Sequence, residues 1–362
     1  MSFDQIRDQE VPIRLLRNIL RRGRLPNGLL FWGPGGVGKR LVAIEMAKAV
    51  NCAQSTDDAC GQCLSCRKVT NGNHPDVKHI VPVKKSRIID VDTINGINEL
   101  ASLRPYESEW RLFILHDAER MNLPAQNHFL KTLEEPPGRS MFMLLTEFPR
   151  MLLPTIRSRC QMVRFRPLAP ATVVDLLREQ RDLPQDLAES IAALSQGQMS
   201  RALDLLESDK REVVMAVVDR LAEGADPLLT AEEFSKSLDL RKKQIEASIL
   251  ADAKEGSTEP LSPEDRERAK AELAAVVDAL YRRDIIEYLY LFETWYRDEL
   301  VQAATGGAGR ILNRDRQAKL QNRTGAADPA KKIVAIEKAR QYLDRFINEE
   351  RVIRDLFFAL SR

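Results

Sequence analysis

Apolar and polar positions follow two different patterns along the chain. Up to about Phe165 the chain offers five strand candidates: Leu29–Trp32, a short apolar run that reads as buried, then Val77–Val81, Leu112–Leu115, Phe142–Thr146 and Gln161–Arg164. Between them lie helical or loop segments such as Leu41–Val50, so the pattern predicts a parallel sheet with helices on both faces. After Pro167 the strand signals stop. Ala171–Arg178, Leu187–Leu194 and Ser200–Leu206 have helical apolar spacing, with Gly197 as a helix stop. From about Glu223 the chain again reads as helical. Its breaks are Lys254–Glu264 with Pro260 and Pro263, the turn Gly306–Gly309, and the linker Gly325–Pro329. The last segment places Val352, Ile353, Leu356, Phe357 and Leu360 on one face, which suits core packing or a subunit contact. The predicted segments are 1–166, 167–222 and 223–362.

At 362 residues and 44% hydrophobic content the chain has material for two or three globular domains. No apolar run approaches the length needed to cross a membrane, and nothing at the N-terminus resembles a signal peptide, so a cytoplasmic location is expected. The formal charge of +2 balances 55 basic against 53 acidic residues, and a nucleic-acid contact would need a local patch. Lys84, Lys85 and Arg87, preceding the helical segment Val91–Leu100, are one candidate for phosphate contact; a solvated loop is the simpler reading.

The stretch Gly33-Pro-Gly-Gly-Val-Gly-Lys-Arg40 spells a phosphate-binding loop up to its last position, and it lies between a strand and a helix as that motif requires. Glycine N–H groups would cradle phosphate, Lys39 would reach the β and γ oxygens, and a Ser or Thr hydroxyl would hold Mg²⁺. Arg40 stands in place of that hydroxyl. A guanidinium is a permanent cation with no lone pair for a metal, so Mg²⁺ is not expected here. The acidic strand end of such sites is matched by Asp117, but Ala118 occupies the position of the water-orienting Glu, and Glu119 is one residue out of phase. Both losses argue against efficient ATP hydrolysis. A loop of this kind could still hold ATP or ADP without Mg²⁺.

Cys52, Cys60, Cys63 and Cys66 are spaced C-x7-C-x2-C-x2-C, while Cys160 lies far away. Four thiolates so close suit a tetrahedral zinc site holding a polar loop that could not fold unaided. Disulfides and an iron–sulfur cluster are the other readings of this spacing. The histidines His74, His79, His116 and His128 are scattered, and none is read as a ligand.

Four runs carry a family resemblance. They are Gly23-Arg-Leu-Pro-Asn-Gly-Leu-Leu-Phe-Trp-Gly-Pro34, the cysteine module, Asn127-His-Phe-Leu-Lys-Thr-Leu-Glu-Glu-Pro-Pro137 and Leu153-Pro-Thr-Ile-Arg-Ser-Arg-Cys160. With them the chain resembles the bacterial clamp-loader subunits of the AAA+ ATPase superfamily. The degenerate loop, Asp117-Ala118 and Trp295-Tyr-Arg-Asp-Glu-Leu300 point to the delta-prime type over the tau/gamma motor type. The resemblance is strong over about residues 1–210 and weaker beyond. It implies an α/β AAA+ ATPase-like domain with a zinc module, then a small helical lid domain, then an all-α C-terminal collar. It further implies that Arg159 is an arginine finger acting in trans, that Thr146 and Arg201 occupy sensor positions, and that Gly33, Gly36, Gly38, Lys39 and Asp117 form a degenerate nucleotide site. The implied partners are tau/gamma ATPase subunits and the delta subunit, with the sliding clamp and primer–template DNA reached through the complex. The implied role is a non-hydrolysing stator in DNA replication. An ATP-hydrolysing motor subunit and a stand-alone DNA-binding adaptor are the alternatives.

Overall fold

The computed structural model describes residues 2–55, 57–82, 88–254, 263–306, 309–322, 328–345 and 347–361. The basic candidates Lys84, Lys85 and Arg87 lie outside the described residues, as do most of the polar break around Pro260 and parts of the two Gly-containing turns further on. The chain divides into two compact units: residues 1–172 with 197–200, and residues 173–196 with 201–362. The expected boundary at 222/223 thus falls within the second unit.

In the first unit the elements run α1 (Glu10–Arg22), β1 (Gly28–Trp32), α2 (Lys39–Val50), α3 (Leu64–Thr70), β2 (Val77–Ile80), α4 (Val91–Ser102), β3 (Arg111–Leu115), α5 (Leu123–Glu134), β4 (Ser140–Thr146), α6 (Pro154–Arg159) and β5 (Gln161–Arg164). The five strands form one parallel sheet in the order β2-β3-β4-β1-β5. Alternation along each strand feeds two cores. Leu29, Phe31, Leu112, Ile114, Met141, Met143 and Leu145 face one, and Leu30, Phe113, Leu115, Phe142 and Leu144 face the other. Burial on both faces explains why the inner strands β1, β3 and β4 read as apolar runs, while the edge strands β2 and β5 are partly exposed and mix apolar with polar residues. Phe142 stacks on Phe113 at 5.2 Å and meets Phe129 of α5 edge-on at 5.2 Å, which fixes α5 against the sheet.

Helix starts follow local chemistry. Asp90 accepts from Thr93 N to cap α4, and Asn122 accepts from Ala125 N to cap α5, which also carries Pro124 in its first turn. At the sheet edge, Asp76 is fully buried and its carboxylate accepts from Tyr106 N, Glu107 N and Ser108 N at 2.7–3.1 Å. Arg111 completes its shell at 3.2 Å. These charge-assisted bonds hold the Asp76 carboxyl below its ordinary range, although burial alone would raise it.

The second unit is helical. Its elements are α7 (Pro170–Gln180), α8 (Gln185–Leu194), α9 (Met199–Glu207), α10 (Lys210–Ala222), α11 (Pro227–Lys254), α12 (Pro263–Thr305), α13 (Gln317–Gln321), α14 (Pro329–Asp344) and α15 (Glu349–Leu360), of which α7 and α9 begin in the first unit. All five apolar residues singled out on α15 are buried, with Phe357 packed on Phe234 and Phe292, so that face is core. Lys210 of α10, 2% exposed, is held by Asp204 and by Asp284 of α12 at 2.8 and 2.9 Å. Arg211 pairs with Asp315 at 2.9 Å. Such buried pairs are costly to break, by about 3–5 kcal/mol when one partner is removed, and they tie α10 to the helices that follow. Within the run Trp295–Leu300, Trp295, Tyr296, Asp298 and Glu299 are buried. Trp295 Nε1 donates to Glu299 at 2.7 Å, and the fully buried Asp298 accepts from Leu312 N, Asn313 N and Asn313 Nδ2.

Candidate nucleotide cleft and cysteine cluster

The end of β1, the Gly-rich turn and the start of α2 open a cleft of about 310 Å³. Its lining includes Gly36, Gly38, Lys39, Arg40, His116, Asp117, Thr146 and Glu147. The glycines are required by close packing. Gly36 has φ +69°, and a Cβ there would lie 2.2 Å from Ser200 N; a Cβ on Gly33 would lie 2.5 Å from Phe165 O. Lys39 folds back, donating at 2.6 Å to both Gly33 O and Pro34 O. Burial lowers its pKa, against the pull of Glu147, Glu119 and Asp117. Thr146, 1% exposed, accepts from Phe148 N at 3.0 Å, so its hydroxyl braces the turn after β4.

The residues present do not fit the Mg²⁺ of an intact phosphate-binding loop. The exposed Arg40 occupies the first turn of α2, and Ala118 is fully buried in the core beneath the sheet. Beside Arg40 lies a contact between two histidines that are 37 residues apart in sequence. His79 Nδ1 and His116 Nε2 are 3.2 Å apart with the rings stacked at 5.5 Å. Burial first, then the Arg40 charge, lowers both histidines, His116 to about 4. Only the register of β2 on β3, in which His116 N donates to Ile80 O at 2.9 Å, brings the two rings together. The signal in the sequence was their position at the ends of two strand candidates.

Arg159 ends α6 and is exposed. One guanidinium nitrogen, Nη1, donates to Thr155 O at 3.0 Å, and Nη2 pairs with Glu134 at the end of α5. Arg201, on α9, belongs to the second unit. There it pairs with Glu287 at 2.9 Å, reaches Gln196 at 3.1 Å and stacks 4.0 Å from the Tyr290 ring centre.

Cys52, Cys60, Cys63 and Cys66 converge, their sulfurs all within 4.8 Å of one another, and Cys60 Sγ to Cys66 Sγ is 3.9 Å. A tetrahedral ion with Zn–S of about 2.3 Å needs S···S edges of about 3.8 Å, so the donor set fits zinc after a small contraction. Cys63 N and Cys66 N donate to Cys60 Sγ and Cys63 Sγ at 3.3 and 3.4 Å. Such N–H bonds favour thiolate: the one from Cys63 leads in bringing Cys60 down to about 6. Cys63 is lowered too, despite its burial, whereas burial raises Cys66. Next to the cluster, the buried His74 accepts at Nδ1 from Asp76 N at 3.1 Å and faces Ser65 and Ser108 with Nε2 at 3.2 Å. It links α3 to the loop organised by Asp76.

A protein-family model described as DNA polymerase III, delta subunit, matches residues 8–169. Among curated proteins, DNA polymerase III subunit delta′ of Bacillus subtilis (strain 168) is 34% identical over 215 residues, which cover 58% of this chain and 63% of that protein. Subunit tau of the same organism is 31% identical over 245 residues, covering 65% of this chain and 43% of that protein. The chain therefore spans less than two thirds of either relative. A solved gamma-subunit-related protein from Thermotoga maritima covers 98% of this chain and 99% of its own at 18% identity, with a TM-score of 0.39. Among the described residues no helix is long and apolar enough to cross a membrane. Over residues 8–169 the chain thus matches the DNA polymerase III delta-subunit family, and the relatives it resembles are delta′ and gamma/tau subunits of that polymerase.

Proposed function

We propose that the chain is a stator subunit of a clamp loader. It does not hydrolyse ATP itself and completes a neighbouring gamma/tau-type ATP site with Arg159, so that the assembly loads a sliding clamp on primed DNA. The observation that carries this reading is Arg40 at the start of α2, combined with the buried Ala118 after β3. A cation replaces the Mg²⁺ hydroxyl, and a methyl replaces the carboxylate that would polarise water. The exposed Arg159 at the end of a short surface helix is chemically suited to the complementary task. A guanidinium on the γ-phosphate stabilises charge in the transition state, and fingers of this kind contribute about 10³–10⁵ in rate. The cysteine cluster is a structural zinc site in this reading, and the second unit supplies the assembly contacts.

Lys39 and Asp117 share one cleft, and this favours a motor subunit as the second reading. The two readings separate in one assay, ATP turnover by the purified chain alone with and without Mg²⁺. The stator reading predicts no Mg²⁺-dependent turnover, and robust turnover would replace it with the motor.

A further inference from the structure

Resting on the finger reading of Arg159, we infer that Gln126 is the residue that positions the finger. Gln126 lies in the first turns of α5, is 5% exposed, and spends its whole amide on backbone groups. Its Nε2 donates to Met121 O at 2.9 Å and to Met151 O at 3.3 Å, and its Oε1 accepts from Leu153 N at 2.8 Å. Leu153 is the residue immediately before α6, and α6 is only six residues long and ends at Arg159. Met121 lies at the other end, in the turn that follows Asp117 of the cleft, where Ile89 N donates to Arg120 O and Asn122 N donates to Ile89 O.

Apolar contacts alone would leave the finger loosely aimed. Leu152 and Ile156 are buried at 1% and 0%, and their packing fixes how deeply the segment sits. Burial is non-directional, so it does not set the rotation of a helix this short. The flanking surface adds little restraint, since Phe148 and Met151 are 60% and 65% exposed. Directional bonds from one buried side chain, to Met151 O and from Leu153 N, anchor the entry to α6 on α5, with the bond to Met121 O fixing the amide itself; the exposed Arg159–Glu134 pair acts only at the far end of α6. A guanidinium at the far end of α6 is sensitive to that anchor, because a displacement of about 1 Å at a reacting group can cost about 10²-fold in rate.

The test uses the full chain assembled with its gamma/tau-type partner and reads ATP turnover, with kcat and KM separated. Variants are Gln126→Met, which keeps the volume and removes all three bonds, Gln126→Glu, which keeps only the acceptor toward Leu153 N, Arg159→Ala, and Gln126→Met combined with Arg159→Ala. The expected result is a roughly ten- to hundredfold fall in the kcat increment due to this chain for Gln126→Met, with KM for ATP within about twofold. Gln126→Glu should fall between Gln126→Met and the parent, and the double variant should match Arg159→Ala alone, since the two residues act through one group. A Gln126→Met increment like the parent's, or a loss that adds to that of Arg159→Ala, overturns the inference while leaving the finger intact. If Gln126→Met fails to assemble, Gln126→Glu decides by the same two criteria. An Arg159→Ala loader with full turnover overturns the finger reading itself, and this inference with it.

Discussion

Arg159 and Glu134 form an ion pair within the chain, closing the end of α6 onto the end of α5. With Nη1 also on Thr155 O at 3.0 Å, the guanidinium is folded along its own helix. Their side chains are 34% and 47% exposed, so water screens the pair and it contributes little to stability. Glu134 is thus a local competitor for the cation that a neighbouring phosphate would attract. Glu134→Gln should change unfolding free energy by no more than about 1 kcal/mol in urea denaturation and leave loader turnover at or above the parent value. A large fall in turnover with Glu134→Gln would mean that the carboxylate aims the finger instead of holding it back.

The cysteine cluster predicts one tightly held zinc per chain. Cys66→Ser should lose the metal, as measured by elemental analysis, and cobalt substitution of the parent should give thiolate charge-transfer bands that the variant lacks. Chelation should lower the melting temperature by several degrees and loosen residues around α3 first, because His74 and Ser65 connect that module to the Asp76 loop. A metal-free parent of unchanged stability would show the four sulfurs to be merely near one another.

The His79–His116 pair predicts acid sensitivity with a defined sign. Burial and then Arg40 hold both rings below the ordinary 6.5, His116 at about 4, so the unfolded chain takes up protons first as pH falls. The pair's contribution is fully present above about pH 6.5 and is lost progressively toward about pH 4. His116→Asn should flatten the fall in melting temperature across that window when compared at equal zinc content. A parent and variant with parallel pH profiles would remove the pair from the account.

Much of the first unit was legible in the sequence. The inner strands β1, β3 and β4 are buried along nearly their whole length and so are apolar at nearly every position, whereas the edge strands β2 and β5 carry polar residues; all five strand candidates end within two residues of the observed strands. The Gly-rich turn between β1 and α2 and the cysteine spacing are local in sequence and so are visible there, and the cysteines do converge. What sequence spacing did not carry were contacts set by register and by backbone partners. His79 meets His116 only through strand pairing, and Gln126 bonds to carbonyls and an amide that leave no trace in residue identity. The separation expected at 222/223 falls inside one compact unit, in which Lys210, Arg211 and Arg201 find their acidic partners on α12 and beyond.

If this chain completes an ATP site that it does not own, Arg159 is the group through which it acts. The most direct test is ATP turnover by a reconstituted loader carrying Arg159→Ala, with assembly verified by gel filtration and the contribution of this chain taken as the increment over partner subunits alone. For a stator, the increment is almost abolished while assembly and zinc content stay normal. An undiminished increment in the intact complex would contradict it.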